Sequence, residues 1–207
     1  MSRLMGLRQQ QAPEREPISL LQAKIFLHVD SDIEDELIGR LIKTARQGIE
    51  SYTGRSLIKQ AWTFTFNAGF AAARSDGSYL NQSHSRAVGG IELPRSPFLE
   101  LIGKPQLKTG AGDKEITQYR LDTAGRVARL HVSDMSDPQE NVEVKFWAGY
   151  GADPEEVPEP LRQGVLMTAA NLYEARGAAN DAGLIPMPLS GPVIQLIKPY
   201  RMQRFLA

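Results

Sequence analysis

With 207 residues, 24 basic against 24 acidic side chains and an apolar share of 42%, the chain has ordinary globular proportions and no net charge, and its length suffices to bury about 70% of the unfolded surface. That balance argues against sequence-independent gripping of DNA, which draws on a surplus of Lys and Arg. The absence of cysteine excludes disulfides, thiolate nucleophiles and Cys-based zinc sites, and no apolar run approaches the ~20 residues of a membrane span.

Residues 1–17 are polar and unpatterned, interrupted by Pro13 and Pro17, and are expected to form a flexible arm without a signal-peptide core, as in a soluble protein made in the cytoplasm. Ser19 with Gln22 three positions on is a capping box that opens a short helix to about Leu27. The cluster Asp30, Ser31, Asp32 then offers a cap for a longer helix. In it Ile33, Leu37, Leu41, Ala45, Ile49 and Tyr52 recur near helical spacing, with Ile38 and Ile42 widening the stripe and Gly54 as a left-handed stop. Residues 18–59 are therefore the first part of a helical bundle.

At Gln60 the period changes from helical to two, because Trp62, Phe64 and Phe66 alternate with threonines as in a half-buried strand. Residues 68–90, rich in Gly, Ser, Ala and Asn, read as a long mobile loop, followed by strands at 91–93, 99–107, 116–121, 127–132 and 142–147. The separators 109–113 and 123–125 are turn chemistry. Residues 60–151 thus form a β-rich lobe. Beyond it Pro158-Glu159-Pro160 starts a helix with Leu161, Val165, Leu166, Ala169, Leu172 and Tyr173 on one face, expected to stop at Gly177. Residues 178–191 look loose, and Pro192 opens a last short helix interrupted near Pro199, so that 152–207 completes the bundle. The predicted fold class is α+β: an antiparallel helical bundle with an inserted, mostly antiparallel β-sheet lobe.

No constellation of catalytic or metal-binding character emerges. His28 near Asp30 and Asp32 is read as a helix end followed by caps, since metal ligands at fixed spacing are missing, and His84 and His131 are the other histidines. Asp153, Glu155, Glu156 and Glu159 precede a helix whose positive end they favour. Ser83-His84-Ser85 has hydroxyls beside an imidazole but no rigid support. No cofactor is expected. Lys198, Tyr200, Arg201, Arg204 and Phe205 make a basic, aromatic tail of types enriched at interface hot spots.

Several short motifs in order carry a resemblance. They are Ile18-Ser19-Leu20-Leu21 with Asp35-Glu36-Leu37-Ile38, then Thr53-Gly54-Arg55 and Gln60-Ala61-Trp62, then Leu93-Pro94-Arg95-Ser96-Pro97, then Ala148-Gly149-Tyr150-Gly151 with Tyr173-Glu174-Ala175-Arg176, and last Leu196-Ile197-Lys198-Pro199-Tyr200-Arg201. In that order they resemble the head-tail connector, or adaptor, proteins of tailed double-stranded DNA bacteriophages and prophages, with the long 68–90 loop as a departure. The resemblance implies a structural protein, not an enzyme, in a homo-oligomeric ring of about twelve subunits. It implies a portal protein and a stopper or tail-completion protein as partners. Double-stranded DNA would pass through the ring without sequence-specific binding, no membrane would be involved, and the location would be the neck of the virion. It also assigns portal docking to Lys198, Tyr200, Arg201, Arg204 and Phe205. The competing readings are a small phage hydrolase, which needs clustered carboxylates or histidine ligands in a cleft, and a DNA-packaging accessory, which needs a basic face.

Overall fold

The computed structural model describes residues 5–67, 90–110, 112–132, 140–175 and 189–202. The chain forms two compact units, one of Met1–Ala12 with Gln60–Gly149 and one of Pro13–Lys59 with Tyr150–Ala207. Strand alternation builds the first and helical periodicity the second, giving an α+β protein whose strand pairings among the described residues are all antiparallel.

In the sheet unit the centre is β9 (Asn141–Ala148), where Val142, Val144, Phe146 and Ala148 point to one face and are fully buried. β2 (Gln60–Asn67) pairs along one edge of β9, register Gln60 with Ala148 to Asn67 with Asn141. The other edge takes two short strands in succession, β4 (Phe98–Leu101) and β5 (Gln106–Thr109). The single strand expected over 99–107 is therefore broken, and the reason is local: Gly103 adopts φ 74, outside strand geometry, although the Ile102 N–H still donates to the Lys145 carbonyl. β6 (Gly112–Glu115) continues the sheet from β5 across a tight turn; all four of its residues are exposed, so no apolar alternation marks it. A second sheet has the order β3 (Ile91–Glu92), β8 (Arg129–Val132), β7 (Tyr119–Asp122), and its Ile91, Leu130 and Val132 join Trp62, Phe64 and Phe66 in one apolar core.

The flexible arm expected over 1–17 is corrected in part, because Met5–Gln11 is strand β1, paired antiparallel with β2. All seven of its residues are exposed, so it is held by main-chain ladder bonds and by Gln9 and Gln10, whose amides donate to Gln60 and Thr63. With neighbours on both edges, β2 is buried beyond the half-burial its alternation suggests: Gln60, Ala61 and Thr63 are buried as well as the aromatic residues.

The helical unit begins with α1 (Leu20–Leu27), closed at its start by the Ser19 and Gln22 capping box and at its end by His28 in the left-handed region, φ 55. Ser31 caps a single 3-10 turn, Asp32–Glu34, which runs into α2 (Asp35–Thr53). α2 buries Ile38, Ile42, Ala45 and Ile49, each worth roughly 1 to 3 kcal/mol on burial. Ile33 and Leu37, expected in that stripe, lie 92% and 37% exposed. The buried stripe is instead completed by Arg46, Glu50 and Thr53.

α3 (Glu159–Ala175) buries Leu161, Val165 and Ala169, as its periodicity predicts, together with Gly164, where a side chain would come within 2.9 Å of Ile197 and 3.2 Å of Ile49. Leu172 and Tyr173, placed on the same predicted face, are only partly buried. α4 (Gly191–Ile197) starts on Pro192 and buries Val193 and Ile197 against the same core. The expected loose segments 68–90 and 178–191 lie almost wholly outside the described residues, as does the stop at Gly177.

One charged cluster ties this unit together. The Arg46 side chain is 2% exposed; its Nε donates to Glu16 at 2.6 Å and its Nη1 to Glu50 at 2.8 Å, and the second Glu50 oxygen accepts the Leu57 N–H at 2.8 Å. Burial presses the guanidinium pKa down, but the Glu50 and Glu16 carboxylates outweigh it and hold the proton more firmly than usual. Removing one partner strands the others in low dielectric, so Arg46→Ala should cost about 3 to 5 kcal/mol. Arg46→Met, which keeps the volume, should cost less than Arg46→Ala; loss of helical circular dichroism in urea compares the two.

Candidate functional site

The tail residues singled out in the sequence begin where α4 ends. Pro199 cannot continue an α-helix, so the chain tightens into a 3-10 turn over Lys198–Tyr200 and leaves it extended at Arg201. At this point it meets the end of α2. Gly54 closes α2 in the left-handed region, φ 74, its N–H donating to the Glu50 carbonyl. A side chain there would be strained and would also press on Met202 at 3.3 Å.

Three bonds fix the tail against that corner. Arg55 Nε donates to the Tyr200 carbonyl at 2.6 Å, the Met202 N–H donates to the Thr53 carbonyl at 2.8 Å, and the Arg201 guanidinium lies 5.1 Å from the centre of the Tyr52 ring. Tyr150 lies close enough to Arg55 to respond to its charge: burial pushes its hydroxyl pKa up, while Arg55 pulls it down. The main-chain bonds Tyr150 N–H to Leu57 and Lys59 N–H to Gly151 hold the two crossing stretches side by side.

Three of the short sequence motifs, Thr53-Gly54-Arg55, Gly149-Tyr150-Gly151 and Pro199-Tyr200-Arg201, thus supply residues to one corner. Tyr200 and Arg201, read in the sequence as part of a basic, aromatic tail, also have a place in the helical unit. Tyr200 packs partly buried against the helical core, and Arg201, exposed, stacks on Tyr52. Lys198 is exposed; Arg204 and Phe205 lie outside the described residues. The sequence reading missed Tyr52, Arg55 and Tyr150 as partners of the tail. Arg55 is 145 positions from Tyr200, and no periodicity reports a contact at that distance.

The remaining candidates sit in structural roles. His28 is the left-handed cap of α1, and Asp32 and Asp35 both pair with Lys24, at 2.6 and 2.7 Å. The hydrogen bond from Lys24 pulls the Asp32 pKa down, and the bonds to Asp32 and Asp35 push the Lys24 pKa up. Asp153 and Glu156 form a capping box around the 3-10 turn Pro154–Glu156, while Glu159 pairs with Arg162. His131 lies on β8, and His84 with its serines is outside the described residues. Among the described residues no three His, Asp or Glu side chains are grouped to hold a metal ion.

A second surface of the helical unit is unlike the corner. Leu21 and Ile25 on α1 are 67% and 66% exposed and Phe26 is 43% exposed. A hollow of about 270 Å³ lies between Phe26, Arg162 and Leu166, and another of about 520 Å³ between Leu21, His28 and Asp30.

Residues 17–96, which run from just before α1 to the segment after β3, match the family of phage gp6-like head-tail connector proteins. No curated protein matches it in sequence. Solved structures resemble the chain along nearly its whole length. A chain in the neck of an empty gene transfer agent particle, computed with C6 symmetry, is 23% identical, with 98% of each chain covered and a TM-score of 0.73. A chain of the virion of the native gene transfer agent particle is 23% identical over 97% of each, TM-score 0.70. One from the neck of the native particle, computed with C12 symmetry, is 24% identical over 98% of each, TM-score 0.61. At such identities the likeness is one of fold.

The corner makes a measurable prediction. Arg55→Ala removes the charge that pulls the Tyr150 pKa down, so the Tyr150 titration should move further upward by NMR, and the Met202 amide should exchange faster.

Proposed function

We propose that this connector is the adaptor subunit of a closed ring at the head-tail junction of a phage-like particle. The ring sits beneath the portal and presents a surface to a stopper or tail-completion protein while DNA passes through its centre. The single observation that carries the reading is the coincidence of the connector match over residues 17–96 with a fold shared, end to end, with chains of particle necks. One of those necks was computed with twelvefold symmetry, in line with a ring of that order. The role is geometric: many modest contacts repeated around a ring add up through effective concentration. This reading makes the chain a structural protein and not an enzyme, located in the virion neck.

Portal docking is proposed for the tail that leaves the Arg55 corner. Lys198, Tyr200 and Arg201 border the exit, and Arg204 and Phe205 follow it. Arginine forks pair bidentately with carboxylates, and an aromatic ring fills a pocket; hot-spot side chains of these types contribute about 2 kcal/mol or more each. Anchoring is supported for Tyr200, Arg201 and Met202, which are tied to the helical unit, and docking is assigned in this reading to the residues that follow them in sequence.

Deleting residues 203–207 should therefore leave the helical content and thermal midpoint unchanged, while the truncated chain no longer joins DNA-filled, portal-bearing capsids. Co-sedimentation with such capsids reads the result, and undiminished binding would remove the tail from the docking role.

A further inference from the structure

Strand β1 is the one described element of the sheet unit that precedes the helical unit in the chain. Its register sets Met5 beside Phe66 and Leu7 beside Phe64 on the core-side face, and Gly6 and Arg8 beside Thr65 and Thr63 on the other. Even Met5 and Leu7 stay 36% and 38% exposed, so no side chain of β1 is buried. The strand is held by its ladder and by two side-chain bonds, from Gln9 to Gln60 and from Gln10 to Thr63. A segment held in this way opens at low cost compared with the core.

The edge that β1 covers is of the opposite character. Along β2 the side chains of Gln60, Trp62, Thr63, Phe64 and Phe66 are all buried. Left open, this edge would be an aromatic strand with unpaired main-chain groups. It is also selective, because Gln60 and Thr63 each accept from a glutamine of β1. The occupant that fits it is therefore the β1 sequence, from the same copy or from another.

The link behind β1 allows either source. Arg15 pairs with Asp153, Glu16 with Arg46, the Pro17 carbonyl accepts from Arg162 and Ile18 is buried, so the chain is fixed to the helical unit from Arg15 onward. Between that anchor and β1 lie three residues, Ala12, Pro13 and Glu14. Short hinge loops invite exchange between copies, and Pro13 biases Ala12 toward the extended backbone that an exchanged strand uses. Extended, β1 and these three residues span roughly 33 Å, about the diameter of a small domain, enough to reach the sheet of a copy alongside. A closed ring requires each subunit to offer two different surfaces that fit one another. A strand and the edge it vacates meet that requirement with contacts the fold already contains.

We infer that in the ring β1 of each subunit leaves its own β2 and pairs, in the same register, with β2 of the next copy. The inference rests on the ring reading given above.

The chain has no cysteine, so disulfides can report which copy supplies the strand. Gly6 and Thr65 are partners across β1 and β2, neither is buried, and a side chain at Gly6 meets nothing within 4 Å. The double variant Gly6→Cys, Thr65→Cys is assembled on its portal in reductant, oxidised with diamide and run on a denaturing gel. The expected product is a ladder of covalent multimers, whereas the free chain oxidised alone gives an internal disulfide at monomer mass. Monomer-mass disulfides alone in the assembled ring would overturn the exchange, and so would a ring in which no disulfide forms. The pair Arg8→Cys, Thr63→Cys repeats the test two residues along the same face. As a second arm, the free double variant is oxidised first, which locks β1 onto its own β2. The copies retained per portal should then fall by about tenfold or more and recover when reductant is added. Wild-type occupancy by the locked chain would also overturn the exchange. If the wild-type chain forms no ring on the portal, the ring reading itself fails and takes this inference with it, an outcome distinct from a ring whose disulfides are all internal.

Discussion

Arg46 sits in the middle of α2 with its guanidinium almost out of reach of water, and a charge is stable there only while both of its carboxylate partners stay in place. Glu50 is one turn away and supplied by the same helix. Glu16 comes from the segment before α1, and the spare oxygen of Glu50 reaches forward to the backbone of Leu57. One side chain thus fixes where α1 begins, how α2 is buried and where the chain leaves for the sheet unit. The Arg162 side chain adds a bond to the Pro17 carbonyl, and Ile18 is buried beside it. α1 is therefore anchored from its first residue backwards. It needs little burial of its own, which is how Leu21, Ile25 and Phe26 remain exposed.

This arrangement explains which parts of the fold the amino-acid pattern announces. Local chemistry with a single solution reads directly: the Ser19 and Gln22 capping box, the Gly54 stop, the alternation of Trp62, Phe64 and Phe66, and the entry of α4 at Pro192. α2 is the instructive exception. Its sequence contains two overlapping apolar stripes, one through Ile33, Leu37 and Leu41 and one through Ile38, Ile42 and Ala45. The structure buries the second and completes it with Arg46 and Glu50, residues that a hydrophobic count assigns to solvent. Arg46 is held on that buried face by a tertiary partner, Glu16, thirty positions away. Strands β1 and β6 escape notice for the opposite reason. Their stability lies in main-chain ladders, and their exposed side chains leave no period.

The site shows the same division. The motifs at residues 53–55, 149–151 and 199–201 can be found in the sequence one at a time, and their order carries the family resemblance. Their meeting at the Arg55 corner is a property of a chain that leaves the helical unit after Lys59 and returns at Tyr150. In that light the Thr-Gly-Arg and Pro-Tyr-Arg signatures are closure elements of the helical unit. The acidic run 30–36 divides likewise: Asp32 and Asp35 hold Lys24 and Ser31 caps a turn through the Ile33 N–H, while the Ile33 side chain between them is exposed.

The central claim is that this chain forms the ring joining portal to tail. Its most direct test is electron cryomicroscopy of particles of the phage or prophage that encodes the chain, imaged with and without the chain. The account predicts a closed ring of density below the portal into which the two units fit, and DNA-filled heads without tails when the chain is withheld. Tailed particles assembled in its absence, or particles in which the chain lies anywhere other than the junction, would contradict it.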